Sequence, residues 1–109
     1  MNAAIDMVKP GNNIMQPQEV SEKVITEGLV KIGLLSGDPQ ELHKNGAYKE
    51  FYMHKIGHWL GLDVHDAGDY MEGEKYMKFK PGMITTIEPG IYISSKMDVD
   101  DKWKGIGVR

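Results

Sequence analysis

The sequence has no cysteine among its 109 residues, so neither a disulfide framework nor a thiolate metal site is available to it. It also has no basic stripe, because 13 lysines and arginines are scattered among 16 acidic residues for a net charge of −3. Binding to nucleic acid or to an anionic membrane surface is therefore not expected. No apolar run approaches the roughly 20 residues of a transmembrane helix. These absences predict a cytoplasmic protein that binds neither nucleic acid nor a membrane.

The N-terminal part of the chain has a helical pattern, and the length predicts one domain at most. Residues 17–32 carry the strongest signal, because apolar side chains recur at a spacing of three to five residues between Pro17 and a plausible stop at Gly33. Residues 2–8 resemble the tail of a longer helix. Residues 34–47 are predicted to form a loop with one helical turn.

The C-terminal part, after Tyr48, has a strand pattern. Residues 82–94 contain two runs of β-branched and aromatic residues separated by Pro89 and Gly90, and the last six residues, KGIGVR, resemble the start of another strand. Helix followed by strands indicates the α+β class, with a curved antiparallel sheet covered by helices.

Three of the four histidines (His54, His58 and His65) lie in one segment, MHKIGHWLGLDVHD, at residues 53–66. Because apolar residues separate them, the segment indicates a buried polar site in which each imidazole needs a partner. His54 and His58 are four residues apart, as in the zinc-protease motif H-E-x-x-H.

That zinc-protease motif is nevertheless excluded. Lys55 stands where the motif requires its glutamate base, and Gly57 and Gly61 make a long helix costly. In an extended or bent segment the spacing does not fix which imidazoles converge, so we expect only some of the three to be ligands.

Outside this segment the candidates are weaker. Glu88 follows a β-rich run, where a carboxylate is equally explained by edge-strand solubility or by a rigidly held ligand. His43 lies in a polar loop and is expected to be structural. Three aspartates near Gly68 are typical of a solvated turn; they are Asp63, Asp66 and Asp69.

Two motifs together resemble a known family. The histidine segment has the form H-x-x-G-H-x-x-G-x-x-x-H-D, and residues 79–94, FKPGMITTIEPGIYIS, contain PGM-x-x-T-x-EPG. With GIGVR at the C-terminus and VKPGN at residues 8–12, they are similar to the C-terminal catalytic part of the Xaa-Pro aminopeptidases, also called aminopeptidase P. Prolidase, methionine aminopeptidase and creatinase share the pita-bread fold of that family.

The resemblance implies a hydrolase that uses two divalent metal ions, usually manganese, on peptides with proline in second position. Five ligands hold the ions: two aspartates, one histidine and two glutamates. His58 matches the histidine ligand, and Glu88 matches the first glutamate ligand, which also acts as general base. His54 matches a histidine lining the substrate pocket. His65 matches one that contacts the substrate or steadies the tetrahedral intermediate, and Arg109 matches an arginine beside the second glutamate ligand.

The sequence departs from the family pattern at both ends. In the family the two aspartate ligands precede the helix tail seen at residues 2–8, and the second glutamate is expected two residues after Arg109, so we find two of five ligands. Lys55 replaces a glycine that often follows the first histidine. We therefore expect residues 1–109 to be part of a catalytic domain, a pita-bread fold truncated at both ends. Alone, it should be inactive, metal-free and prone to self-association or homo-oligomer formation.

Three alternatives stay open from the sequence. The chain could come from a prolidase-type dipeptidase, or from a pita-bread binding module that has lost catalysis, although retention of both His58 and Glu88 argues against the module. A small protein that binds one transition metal through His54, His58 and His65 is the third possibility.

Overall fold

The computed structural model describes all 109 residues, which form two compact units. The first unit consists of Met1–Ser21 and Lys55–Pro89, and the second consists of Glu22–His54 and Gly90–Arg109. Each unit has its own group of buried apolar side chains. In the first these are Ala4, Ile14, Ile56, Trp59 and Phe79. In the second they are Leu29, Tyr48, Phe51, Tyr52 and Ile93.

The chain has three α-helices: α1 (Asn2–Ile5), α2 (Met15–Lys31) and α3 (Pro39–Asn45). The long helix predicted at residues 17–32 is confirmed, but it begins before Pro17. The side chains of Asn13 and Gln16 explain the earlier start, because Asn13 accepts a hydrogen bond from the amide of Met15 while Gln16 accepts one from the amide of Asn13. This reciprocal arrangement is a capping box. We find no candidate membrane-spanning segment among these helices.

The helical turn predicted within residues 34–47 is α3, which is longer than one turn because it occupies seven of these residues. Its start is fixed by Asp38, whose carboxylate accepts hydrogen bonds from the amides of Gln40 and Glu41, both at 3.0 Å, and by Pro39 as first residue. Its end is fixed by Gly46 at φ 78°, in the left-handed region that favours glycine. A short turn of 3-10 helix, Ala47–Glu50, follows.

Four short strands form two antiparallel pairs: β1 (Met71–Glu72) with β2 (Lys75–Tyr76), and β3 (Ile91–Tyr92) with β4 (Gly107–Val108). The strand predicted near the C-terminus is confirmed as β4. The first β-rich run, residues 82–88, is not a regular strand, since it forms only an isolated bridge between Thr85 and Trp59. The segment that it pairs with turns away through bends at residues 61–65, which limits the pairing to a few residues.

Candidate metal site

The backbone of the first unit brings the second histidine and the glutamate together. The amide of Thr86 donates to the carbonyl of His58 at 2.9 Å, and the amide of Glu88 donates to the carbonyl of Ile56 at 2.6 Å. In this antiparallel register His58 lies opposite Thr86, so Glu88 is its diagonal neighbour, at a spacing that long side chains can bridge.

Gly57 and two threonines fix the backbone at this point. A Cβ atom on Gly57 would lie 1.9 Å from the carbonyl oxygen of Thr86, so only glycine permits the observed approach. The Thr86 hydroxyl accepts from the amide of His58 at 3.0 Å, and the Thr85 hydroxyl donates to the His58 carbonyl at 2.9 Å. The polar groups around His58 are thereby held in one geometry.

The imidazole of His58 lies between a carbonyl and a carboxylate. Its Nδ1 is 3.0 Å from the carbonyl oxygen of Trp59, and its Nε2 is 3.0 Å from Oε1 of Glu88. Because a carbonyl only accepts, Nδ1 carries the proton, and in the neutral ring Nε2 then presents a lone pair to the carboxylate. Two acceptors at this distance need a proton or a cation to join them.

The positions of His58 and Glu88 fit a shared metal ion. A metal-binding histidine ordinarily donates its second ring N–H to a carbonyl or a carboxylate, which is the role of the Trp59 carbonyl. Two atoms bound to one ion at right angles, each at about 2.1 Å, lie about 3.0 Å apart. His58 and Glu88 have that separation. No group of three or more His, Asp or Glu side chains in the 109 residues lies close enough to hold an ion.

The third histidine of the segment, His65, lies beside this pair. Its ring centroid is 4.3 Å from that of His58, with the two planes tilted by 59°. Two contacts hold the loop between His58 and His65. The amide of Asp66 donates to the carbonyl of Trp59 at 3.2 Å. Gly61 packs so closely against the Asp66 carboxylate that a Cβ atom added to Gly61 would lie 1.8 Å from it. The expected turn therefore serves to bring His65 back to His58.

The remaining predicted residues belong to the second unit. His54 Nε2 is 3.0 Å from the hydroxyl of Tyr92, and the ring of Tyr52 packs edge-on against it at 5.0 Å. Arg109 is exposed and follows β4. Sequence reasoning missed Tyr92, whose only signal was its place in the β-rich run two residues after Gly90.

A further polar cluster in the second unit accounts for His43. Its Nε2 is 3.4 Å from Oε2 of Glu22, and its ring stacks on Tyr48 with centroids 5.7 Å apart. Burial, together with a hydrogen bond to Glu22 and the negative charge of that carboxylate, raises the pKa of Tyr48 well above its usual value. This set of contacts is typical of a structural histidine.

Comparison with known proteins identifies the family. All 109 residues match the model of metallopeptidase family M24. Xaa-Pro aminopeptidase of Haemophilus influenzae is 50% identical over 106 residues, which cover 97% of this chain and 24% of that protein. Xaa-Pro aminopeptidase of Escherichia coli is 38% identical over 109 residues, which cover 100% of this chain and 24% of that protein.

Solved structures show the same fold. Aminopeptidase PepP of Pseudomonas aeruginosa superposes with a TM-score of 0.95 at 51% identity, covering 98% of this chain and 24% of that one. Zinc-substituted Escherichia coli aminopeptidase P in complex with product gives 0.91 at 38% identity, with the same coverage. The predicted α+β pita-bread class is confirmed, and the chain spans about a quarter of the length of the relatives that it matches. The chain belongs to metallopeptidase family M24.

Proposed function

We propose that the gene product carrying this chain is an Xaa-Pro aminopeptidase, which hydrolyses the first peptide bond of substrates with proline in second position. The observation that carries the proposal is the His58–Glu88 pair, whose nitrogen and oxygen are 3.0 Å apart while the Trp59 carbonyl occupies Nδ1. The names of the similar relatives support the substrate class. The expected ions are two divalent cations, with manganese as first choice.

In this proposal His58 and Glu88 are metal ligands. The bound ions would polarise the scissile carbonyl and activate water near neutral pH. Glu88 would also accept the proton of the attacking water as general base. His65, whose ring contacts His58, would donate a hydrogen bond to the developing oxyanion.

The two remaining roles concern the substrate and the second glutamate ligand. His54 would line the pocket for the proline ring, and Arg109 would lie beside that glutamate. Both assignments are carried over from the resemblance. Proline after the cleaved bond removes the amide N–H that most peptidases use, which makes a shaped pocket necessary.

Residues 1–109 are proposed to be part of a catalytic domain that needs further ligands. One imidazole and one carboxylate do not offset the dehydration of a hard cation, which requires several carboxylates. The isolated chain is therefore expected to be inactive and to bind metal weakly. Hydrolysis of an Xaa-Pro peptide by the purified 109-residue chain would contradict this. Self-association is a separate prediction, made because uncovered strand edges and apolar helix faces favour it. The cytoplasmic location stays a prediction.

The function is tested by assaying the manganese-loaded gene product on matched peptides with proline or alanine in second position. We expect cleavage of the proline peptide, and a loss of about 10³-fold or more in His58→Ala, which corresponds to several kcal/mol of barrier. His43→Ala is the matched control and should retain activity. Cleavage restricted to dipeptides would favour the prolidase-type alternative, and absence of cleavage would favour the binding module.

A further inference from the structure

We propose that Asn45 is a site of spontaneous deamidation in the folded protein. Asparagine is a thermally labile residue, and a glycine that follows it puts no side chain in the way of attack on its carboxamide. Asn45 precedes Gly46, whereas none of the other three asparagines precedes a glycine; these are Asn2, Asn12 and Asn13. The inference goes beyond the proposed activity and does not depend on it.

The reaction takes place between two neighbouring residues. The backbone nitrogen of Gly46 attacks Cγ of Asn45 and forms a C–N bond. The proton of that nitrogen passes to the side-chain amide, which leaves as ammonia when the Cγ–Nδ2 bond breaks. Water then opens the resulting succinimide ring at either carbonyl, which gives aspartate or isoaspartate. Water is the only co-reactant, and no second molecule has to be oriented for the first step.

The side chain of Asn45 is exposed and folds back over the backbone that follows it. Its Oδ1 accepts a hydrogen bond at 3.0 Å from the amide of Ala47, two residues on, which is an Asx-turn. The ring closed by this bond includes the Gly46 nitrogen, so the attacking and attacked atoms belong to one closed turn. The Ala47 N–H also stabilises the negative charge that Oδ1 gains during the attack, as a donor in an oxyanion hole does.

A lysine side chain lies across Gly46. A Cβ atom added at Gly46 would be 3.4 Å from Cδ and Cε of Lys49 and 3.5 Å from its Nζ. The ammonium therefore favours the negative charge that forms when the Gly46 nitrogen loses its proton. The opposing contacts are the hydrogen bonds from the Gly46 amide to the carbonyls of His43 and Leu42, which must open first. They lie at the end of a seven-residue helix, where local opening costs little.

The products would loosen this end of α3. A carboxylate at residue 45 lies at the negative end of the helix dipole, where a negative charge is unfavourable. Isoaspartate also inserts the side-chain carbon into the main chain before Gly46 and so shifts the turn that leads into Ala47–Glu50. Tyr48 lies in that 3-10 helix and is 6% exposed in the core of the second unit. Deamidation therefore destabilises the second unit.

Peptide mapping by mass spectrometry tests the proposal in the gene product. The folded protein is incubated at mildly alkaline pH, and deamidation of Asn45 and of Asn13 is followed in the same samples. Asn13 is the matched internal control, because its Oδ1 also accepts from the amide two residues on, at 3.0 Å, while the β-branched Ile14 follows it. We expect Asn45 to react at least about tenfold faster, which corresponds to about 1.4 kcal/mol of barrier.

Two outcomes of the mapping would overturn the proposal. One is an equal rate at Asn45 and Asn13. The other is an unreacted Asn45 in the folded protein at the time when a free peptide of the sequence HKNGAYK is half converted under the same conditions.

Lys49→Gln separates the contribution of the structure from that of the Asn-Gly sequence. The substitution keeps both reacting residues and removes the ammonium, so the rate at Asn45 should fall about threefold, the size of an exposed charge interaction. An unchanged rate would mean that Lys49 gives no assistance, and the structural argument would be wrong. Asn45→Asp should lower the midpoint of urea denaturation, and an unchanged midpoint would refute the loosening of α3.

Discussion

Gly57→Ala is the substitution that most sharply tests how the His58–Glu88 pair is built. The Cβ atom added at Gly57 would lie 1.9 Å from the carbonyl oxygen of Thr86, whereas real Cβ contacts are essentially never shorter than 3.0 Å. The two backbones must therefore separate by about 1.1 Å, and the neighbouring 2.9 Å bond from the Thr86 amide to the His58 carbonyl would lengthen to about 4.0 Å.

The energetic cost follows from these displacements. Overpacking of a closely fitted site costs about 1–3 kcal/mol. The two backbone hydrogen bonds, from Glu88 to Ile56 and from Thr86 to His58, contribute about 1 kcal/mol each. We expect the free energy of unfolding to fall by about 3 kcal/mol, measured by urea denaturation of the metal-free gene product. Manganese affinity, measured by calorimetry, should fall about 10- to 100-fold because the ligands lose their supporting contacts.

Gly28→Ala is the matched control for Gly57→Ala. Gly28 lies inside α2 with no atom within 4 Å of its added Cβ, so the same substitution should stabilise the protein by about 0.5–1 kcal/mol and leave manganese affinity unchanged. If Gly57→Ala were as harmless as Gly28→Ala, the close approach of the two backbones could not be what holds His58 near Glu88.

Two further predictions concern stability, and a third concerns the packing of Tyr92. Asp38→Ala removes the side-chain cap of α3 and should lower the free energy of unfolding, measured by urea denaturation, by about 1 kcal/mol. Asp38→Asn keeps a capping oxygen and should retain most of that stability. Equal losses in the two variants would show that the cap is unimportant. Because the pKa of Tyr48 is raised in the folded protein, its contribution to stability is complete below about pH 10 and is lost as the pH rises above that value. Tyr48→Phe should therefore make the unfolding free energy fall less steeply with pH in this range, and an unchanged slope would contradict the assignment. Gly90→Ala should displace the Tyr92 ring and change the ¹⁵N signals of His54, and identical spectra would refute that packing.

The helices were predictable from the sequence where the signal is local. The apolar repeat of residues 17–32 predicts α2, but the helix begins earlier because the Asn13–Gln16 capping box, and not Pro17, sets its start. The Asp38 cap and the Gly46 stop of α3 are also local signals, and they were available in the printed sequence.

The strands and the site are harder to predict from the sequence, because they depend on long-range contacts. Residues 82–88 have strong β propensity but pair with a partner that soon bends away, and propensity alone carries no information about the partner. The distance between His58 and Glu88 depends on backbone pairing across 30 positions, so the motifs suggested the residues while the register and Gly57 supply the geometry.

Anomalous diffraction from manganese-loaded crystals of the gene product tests the central claim most directly. The account predicts a manganese ion bonded at about 2.0–2.3 Å to both Nε2 of His58 and a carboxylate oxygen of Glu88, with Nδ1 still donating to the Trp59 carbonyl. Manganese bound only elsewhere, with His58 and Glu88 still in direct contact, would contradict it.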